Sequence, residues 1–138
     1  MKVILDANLL VSAYTCDGVV RRHYLHDLEL VETFISPEIF IEVERSLRRK
    51  EFGVELSDVA VILKDIIARC KVIRIKATPD SGSRDESDWH VRALALQIDA
   101  NCVLTGDKGL AEDAAAQGIV CKRITDFVSE QKASLNRL

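Results

Sequence analysis

Val3-Ile4-Leu5-Asp6-Ala7-Asn8-Leu9-Leu10-Val11 decides the fold. Three consecutive apolar residues without polar alternation read as a strand buried on both faces, and the run stops at an acid. After Asn8 the apolar pattern resumes as the start of a helix. A strand hidden on both sides needs helices on both sides, which a parallel sheet supplies through its crossovers.

The same rhythm continues outward. A second apolar run, residues 31–35, stops at Ser36-Pro37, a favoured N-cap followed by a residue suited to the first helical position. This predicts a helix over 37–50 with Ile39, Phe40, Val43 and Leu47 on its core stripe. Ser57-Asp58 caps an expected helix carrying Val59, Ile62, Leu63, Ile66 and Ile67, and residues 72–75 read as a strand. Residues 77–86, rich in Asp, Ser and Gly, form the main loop without marking a domain boundary. Beyond it, Val91, Leu94, Ala95 and Ile98 share a helical face and Cys102-Val103-Leu104 reads as a strand. Residues 108–117 read as a helix with Gly118 just past its end, 119–121 as a last short strand, and 125–133 as a closing helix. The expectation is one domain, residues 1–138, built as a three-layer α/β/α sandwich around a mainly parallel sheet.

At 138 residues, 48% hydrophobic and 30% charged, the chain has room for one ordinary core and excludes a disordered class. Nineteen basic against 22 acidic residues leave a net charge of −3, so any contact with nucleic acid is local. The first apolar run is too short for a signal peptide or a membrane span, so a cytoplasmic protein without membrane contact is expected. Cys16, Cys70, Cys102 and Cys121 form no C-x-x-C pair and read as reduced core residues. His23, His26 and His90 lack the spacing of a transition-metal site and receive no catalytic role. Neither a phosphate-cradling glycine loop nor a serine nucleophile elbow is present.

What remains is a set of acids. Asp6 and Asp107 follow strand runs, where ligands bind in open parallel sheets. Asp88 opens a helix at the border of its apolar stripe. Glu42 and Glu44 flank the stripe of their helix on opposite sides, and the helical wheel leaves open which one turns toward the strand ends. Each acid also has a plainer role open to it. Asp6 and Asp107 suit turns or helix caps, Asp88 a helix dipole, and Glu42 an ion pair with Arg45 or Arg49. Carboxylates gathered within about 5 Å repel by roughly 3 kcal/mol per pair at an effective dielectric near 20. Such a cluster calls for protons or for a hard cation, Mg²⁺ or Mn²⁺, and a metal-bound water is a nucleophile suited to phosphodiester hydrolysis.

Four stretches in this order, Val-Ile-Leu-Asp6-Ala-Asn-Leu-Leu, Ser36-Pro37-Glu-Ile-Phe-Ile-Glu42-Val-Glu, Asp85-Glu-Ser-Asp88 before Ala93-Leu94-Ala95-Leu96, and Val103-Leu104-Thr105-Gly106-Asp107-Lys108, span nearly the whole chain. In them it resembles the PIN-domain family of metal-dependent ribonucleases, known as the toxin half of toxin–antitoxin pairs, the VapC-like proteins among them. The resemblance implies a Mg²⁺ or Mn²⁺ site made by Asp6, Glu42, Asp88 and Asp107, favouring Glu42 over Glu44, with Asn8 and Thr105 as supporting polar contacts. It also implies an RNA substrate, a cognate antitoxin and a tendency to form homodimers. Asp85 is an additional candidate acid, whereas Glu112 and Asp113 are not chosen. Ala7 departs from the family, which usually carries Thr there, so a hydroxyl that would support the site is missing. For phosphate contacts the candidates are Arg45, Arg48, Arg49 and Lys108, with Arg21, Arg22 and His23 as a second basic group. Trp89 is weighed as a base-stacking residue against a packing role. The alternative is a PIN-like module that binds RNA or protein without cutting. A phosphatase with Asp6 as nucleophile is disfavoured, because Asn8 stands where such enzymes commonly carry a second acid.

Overall fold

The structure, a computed structural model, describes residues 1–76 and 88–137. Strand β1 (Lys2–Leu5) leads into α1 (Ala7–Thr15) and α2 (Val19–Arg22), then a π-helical turn, His23–Asp27. Next come β2 (Glu32–Ile35), α3 (Pro37–Leu47), α4 (Leu56–Arg69) and β3 (Lys71–Val72). The chain continues through α5 (Trp89–Ile98), β4 (Cys102–Leu104), α6 (Lys108–Ala116), β5 (Cys121–Lys122) and α7 (Ile124–Asn136). All pairings are parallel, in the order β3-β2-β1-β4-β5. Val3, Ile4 and Leu5 are each fully buried, and successive strand residues face opposite sides, so both faces of β1 are covered as the apolar run predicts.

From β1 the chain winds outward to β2 and β3, then crosses back to place β4 on the other side of β1. The switch of winding direction opens a crevice beyond the carboxyl ends of β1 and β4, and Asp6 and Asp107 follow those two ends. Register sets their approach: Leu5 pairs with Leu104, and the Asp6 N–H donates to the Leu104 carbonyl at 3.1 Å.

Helix α3 begins as its sequence dictates, with the Ser36 hydroxyl accepting the Ile39 N–H at 3.2 Å and Pro37 at the first position. It ends at Leu47, short of the expected 50, because Arg49 turns extended and a short 3₁₀ turn, Lys50–Phe52, leads to Gly53 at φ +60°. Helix α4 starts at Leu56, one residue ahead of the expected Ser57-Asp58 cap, after an extended Glu55 whose side chain makes no cap bond. Strand β3 is shorter than 72–75. After Ile73 donates to the Ile35 carbonyl, the Gln97 side chain takes over, accepting the Lys76 N–H and donating to the Arg74 carbonyl. The last strand shifts to Cys121–Lys122, and α7 outruns the expected 125–133 at both ends. Gly118 stands at φ +77°, where the Ile119 N–H closes onto the Ala114 carbonyl. The expected loop over 77–86 lies outside the described residues.

All four cysteines are free thiols, but Cys16 is a correction. Just past the end of α1 it is exposed, whereas Cys70 and Cys102 are buried and Cys121 is half-buried. Among the described residues no helix is long and apolar enough to cross a membrane.

Candidate metal centre

Asp6 is 6% exposed and stands one residue past β1. Its Oδ1 accepts the Ala7 N–H at 2.8 Å, capping α1, and its Oδ2 accepts the Thr105 hydroxyl at 2.7 Å. Thr105 Oγ1 in turn accepts the Asp107 N–H at 3.0 Å, and Asp107 Oδ1 caps α6 through the Leu110 N–H at 3.2 Å. Thus the two strand-end acids are tied through one threonine. Ala7 is itself buried, and Thr105 brings to Asp6 a hydroxyl that position 7 lacks.

Glu42 and Asp88 line the same cleft of about 370 Å³ with Asp6 and Asp107. Glu42 turns inward from α3, its Oε1 2.8 Å from His90 Nε2, while Glu44 is engaged by Arg48 at 3.0 Å. Asp88 holds the N-cap position of α5 without making a cap bond, and its Oδ1 accepts from Arg92 at 3.3 Å. Burial, above all, pushes the Asp6 carboxyl upward. The Thr105 and Ala7 hydrogen bonds oppose this, and the charges of Glu42 and Asp107 reinforce it.

Asn8, Arg45 and Arg49 line the cleft as well. Arg48, held by Glu44, is not among its lining residues, and Lys108 faces a neighbouring hollow beyond Asp107. Arg21 corrects the second basic group, because its guanidinium is spent on the Ala13 and Tyr14 carbonyls at the end of α1. His23 is held by Asp27 at 2.7 Å. Trp89 lies half-buried, its ring edge-on to that of His90. Glu112 and Asp113 are exposed on α6 and do not line the cleft, and Asp85 lies outside the described residues.

His90 was given no role by sequence reasoning. It is 4% exposed, its Nε2 lies 2.8 Å from Glu42 Oε1, and among the described residues its Nδ1 has no partner. A signal was available: His90 precedes Leu94 by four residues, which puts it on the buried stripe of α5, and a buried polar ring needs a partner.

Carboxylate oxygens are the donor type that a hard divalent cation takes, and four carboxylates line this cleft. Among the described residues, no hydrogen bond reaches Glu42 Oε2, Asp88 Oδ2 or Asp107 Oδ2. Among those same residues, no three His, Cys, Asp or Glu side chains converge as they stand into a group that holds an ion. Each acid has one oxygen engaged locally, Glu42 by His90, Asp88 by Arg92 and Asp107 by the first turn of its own helix. The chemistry of the donors fits a hard cation.

Among solved structures, a domain of a functionally unknown protein from Methanocaldococcus jannaschii shares the fold at a TM-score of 0.58 and 17% identity, over 88% of this chain and 89% of that one. A chain of VapBC2 from Rickettsia felis, in a complex with a DNA fragment from its promoter, matches at a TM-score of 0.65 and 14% identity, over 89% of this chain and 98% of that one. No curated protein sequence matches. The PIN domain family model covers residues 2–109, taking in β1, the whole of α3, Asp88 and the turn after β4, so the chain belongs to the PIN domain family.

Proposed function

We propose that the protein is an endoribonuclease that hydrolyses RNA phosphodiester bonds with Mg²⁺ or Mn²⁺ held by Asp6, Glu42, Asp88 and Asp107. The observation that carries this reading is the meeting of four carboxylates in one cleft at the switch point of the sheet. When bound, the ion supplies an activated water and a Lewis acid for a phosphate oxygen. The chain's own residues do the rest. Thr105 and the Ala7 N–H fix the Asp6 carboxylate, and His90 holds one oxygen of Glu42. Arg45 and Arg49, on the helix that carries Glu42, contact flanking phosphates.

Family membership and the fold shared with a VapBC2 chain support a role as the cytoplasmic toxin of a toxin–antitoxin pair, acting as a single domain over residues 1–138. A second reading, a module that binds RNA or protein without cutting, is favoured by the local partners that hold Glu42, Asp88 and Asp107 apart. One assay separates the two: cleavage of a labelled RNA pool in Mn²⁺, Mg²⁺ or EDTA by wild type and by Asp107→Asn. Metal-dependent cuts lost in the variant are expected. Equal products from both proteins, across several RNAs and both metals, would give the protein to the second reading.

A further inference from the structure

Beside the acidic cleft lies a second hollow of about 370 Å³ that contains none of the four carboxylates and shares Asn8 and Thr105 with their site. It runs along α1 from Asn8 to Ser12, one helical turn apart on the same face, and is closed on the other side by the start of α7, Arg123 to Thr125. Val20, half-buried, gives it an apolar wall together with the exposed edges of the otherwise buried Leu9 and Ile124, while Ser12, Thr125 and Arg123 set polar groups around them. It meets the acidic cleft at Asn8, which lines both. Gly106 forms part of its floor, and a Cβ there would meet nothing within 4 Å, so the passage over it is open.

Arg123 is the cation of this hollow. It is exposed and forms no ion pair with a described residue, unlike Arg48 with Glu44, Arg69 with Asp65 and Lys122 with Glu130. Arg123 also lines the neighbouring hollow that holds Asp107, Asp126 and Glu130, and its guanidinium, unpaired among the described residues, offers the donor fork that phosphate accepts. The pocket itself offers apolar surface for a base face and hydroxyls for its edge. Its volume falls within the usual range of small-molecule sites, roughly 300–1,000 Å³.

We propose that this hollow seats one unpaired nucleotide of the RNA strand adjoining the scissile phosphate, its base against Val20 and the exposed edges of Leu9 and Ile124 and its phosphate on Arg123. The assignment rests on the ribonuclease reading for its substrate and adds a subsite on the flank away from Arg45 and Arg49. It makes the nucleotide on that side of the cut a determinant of sequence preference.

The test measures binding without cleavage. In an Asp107→Asn background, a fluorescent single-stranded RNA of randomised sequence is titrated by anisotropy across a salt series. Arg123→Ala is expected to weaken binding by about tenfold and to reduce the salt slope by about 0.7, one single-strand phosphate contact. Ser12→Phe, which fills the hollow, is expected to weaken binding by about threefold and, in the active background, to shift the nucleotide preferred beside the cut. Mn²⁺ binding by calorimetry, unchanged in Arg123→Ala and Ser12→Phe made without Asp107→Asn, shows that fold and acidic cleft are intact. Parental affinity and salt slope in both variants would overturn the subsite, and so would variants that release a bound partner protein while holding RNA as the parent does. The ribonuclease reading stands or falls separately, on metal-dependent cleavage by wild type.

Discussion

Two carboxylates in this molecule, Asp65 on the flank and Asp6 in the cleft, meet the same electrostatic problem in opposite ways. On the flank, Asp65 of α4 accepts from the Tyr14 hydroxyl at 2.5 Å and from Arg69 at 2.9 Å. With that proton committed, Tyr24 donates to Tyr14 at 2.8 Å, and Arg69 lies over the Tyr24 ring. Burial pulls the Asp65 carboxyl up, but Tyr14 and Arg69 outweigh it and hold it below its ordinary value. Burial also raises the Tyr14 hydroxyl, with Asp65 adding to the rise, so it remains a donor at any ordinary pH. In the cleft, Asp6 has hydrogen bonds but no cation, and burial together with its acidic neighbours leaves its carboxyl raised. A charge that carries its own partner stabilises the fold. Asp6 has no such cationic partner among the described residues, and under the proposed function the ion supplies it, at some cost in the stability of the metal-free protein.

The largest effect that tests this contrast is catalytic. Asp6→Asn and Asp107→Asn are each expected to lower RNA cleavage in Mn²⁺ by at least about 10²–10³-fold, measured as initial rates on a labelled strand. His90→Leu comes next. It frees Glu42, and Mn²⁺ affinity by calorimetry is expected to fall by about 10–100-fold, the usual effect of losing a group that orients a metal ligand. His90→Gln keeps a donor and should recover part of that loss. Equal affinity in wild type and His90→Leu would reduce the histidine to a packing residue.

The sign of a stability change then separates the two sites. Asp65→Asn breaks a charge-assisted pair and is expected to cost about 1–3 kcal/mol in urea unfolding. Asp6→Asn keeps a good N-cap and removes a buried charge from beside two others, so the metal-free protein should gain about 1 kcal/mol. If both variants lose stability alike, the acids of the cleft are structural caps and the contrast collapses.

Legibility in the sequence follows the range of the interactions involved. Val3-Ile4-Leu5 reads correctly because burial on both faces leaves its mark in three adjacent residues. Ser36-Pro37 reads correctly because capping reaches only to Ile39. Strand β3 does not, since its end is set by Gln97, 21 residues beyond Lys76. Choosing between Glu42 and Glu44 was beyond the helical wheel for the same reason. The choice depends on which side of α3 faces the carboxyl ends of the strands, and His90 meets Glu42 from 48 residues away. A basic residue likewise shows its charge in sequence but not its partners in the fold, the Ala13 and Tyr14 carbonyls for Arg21 and Glu44 for Arg48.

The smallest effect expected is in the pH dependence of stability, and it opposes the two acids most directly. Stability rises with pH wherever the unfolded chain binds more protons. The lowered Asp65 carboxyl makes the unfolded state the better proton binder, so its contribution is full above the unfolded value, about 3.9, and is lost as pH falls through the folded one. The raised Asp6 carboxyl reverses the sign. In metal-free protein the folded state holds that proton more tightly, and stability falls as pH rises from the unfolded value through the raised one. Urea midpoints from about pH 2.5 to 7 should therefore show Asp65→Asn with a flatter acid limb than wild type. The advantage of Asp6→Asn should be present at neutral pH and fade toward acid. Saturating Mn²⁺ should remove that advantage at neutral pH, because an ion on the carboxylates binds only their deprotonated form and stabilises the wild type alone. An Asp6→Asn advantage that survives Mn²⁺ would mean that the ion does not bind beside Asp6.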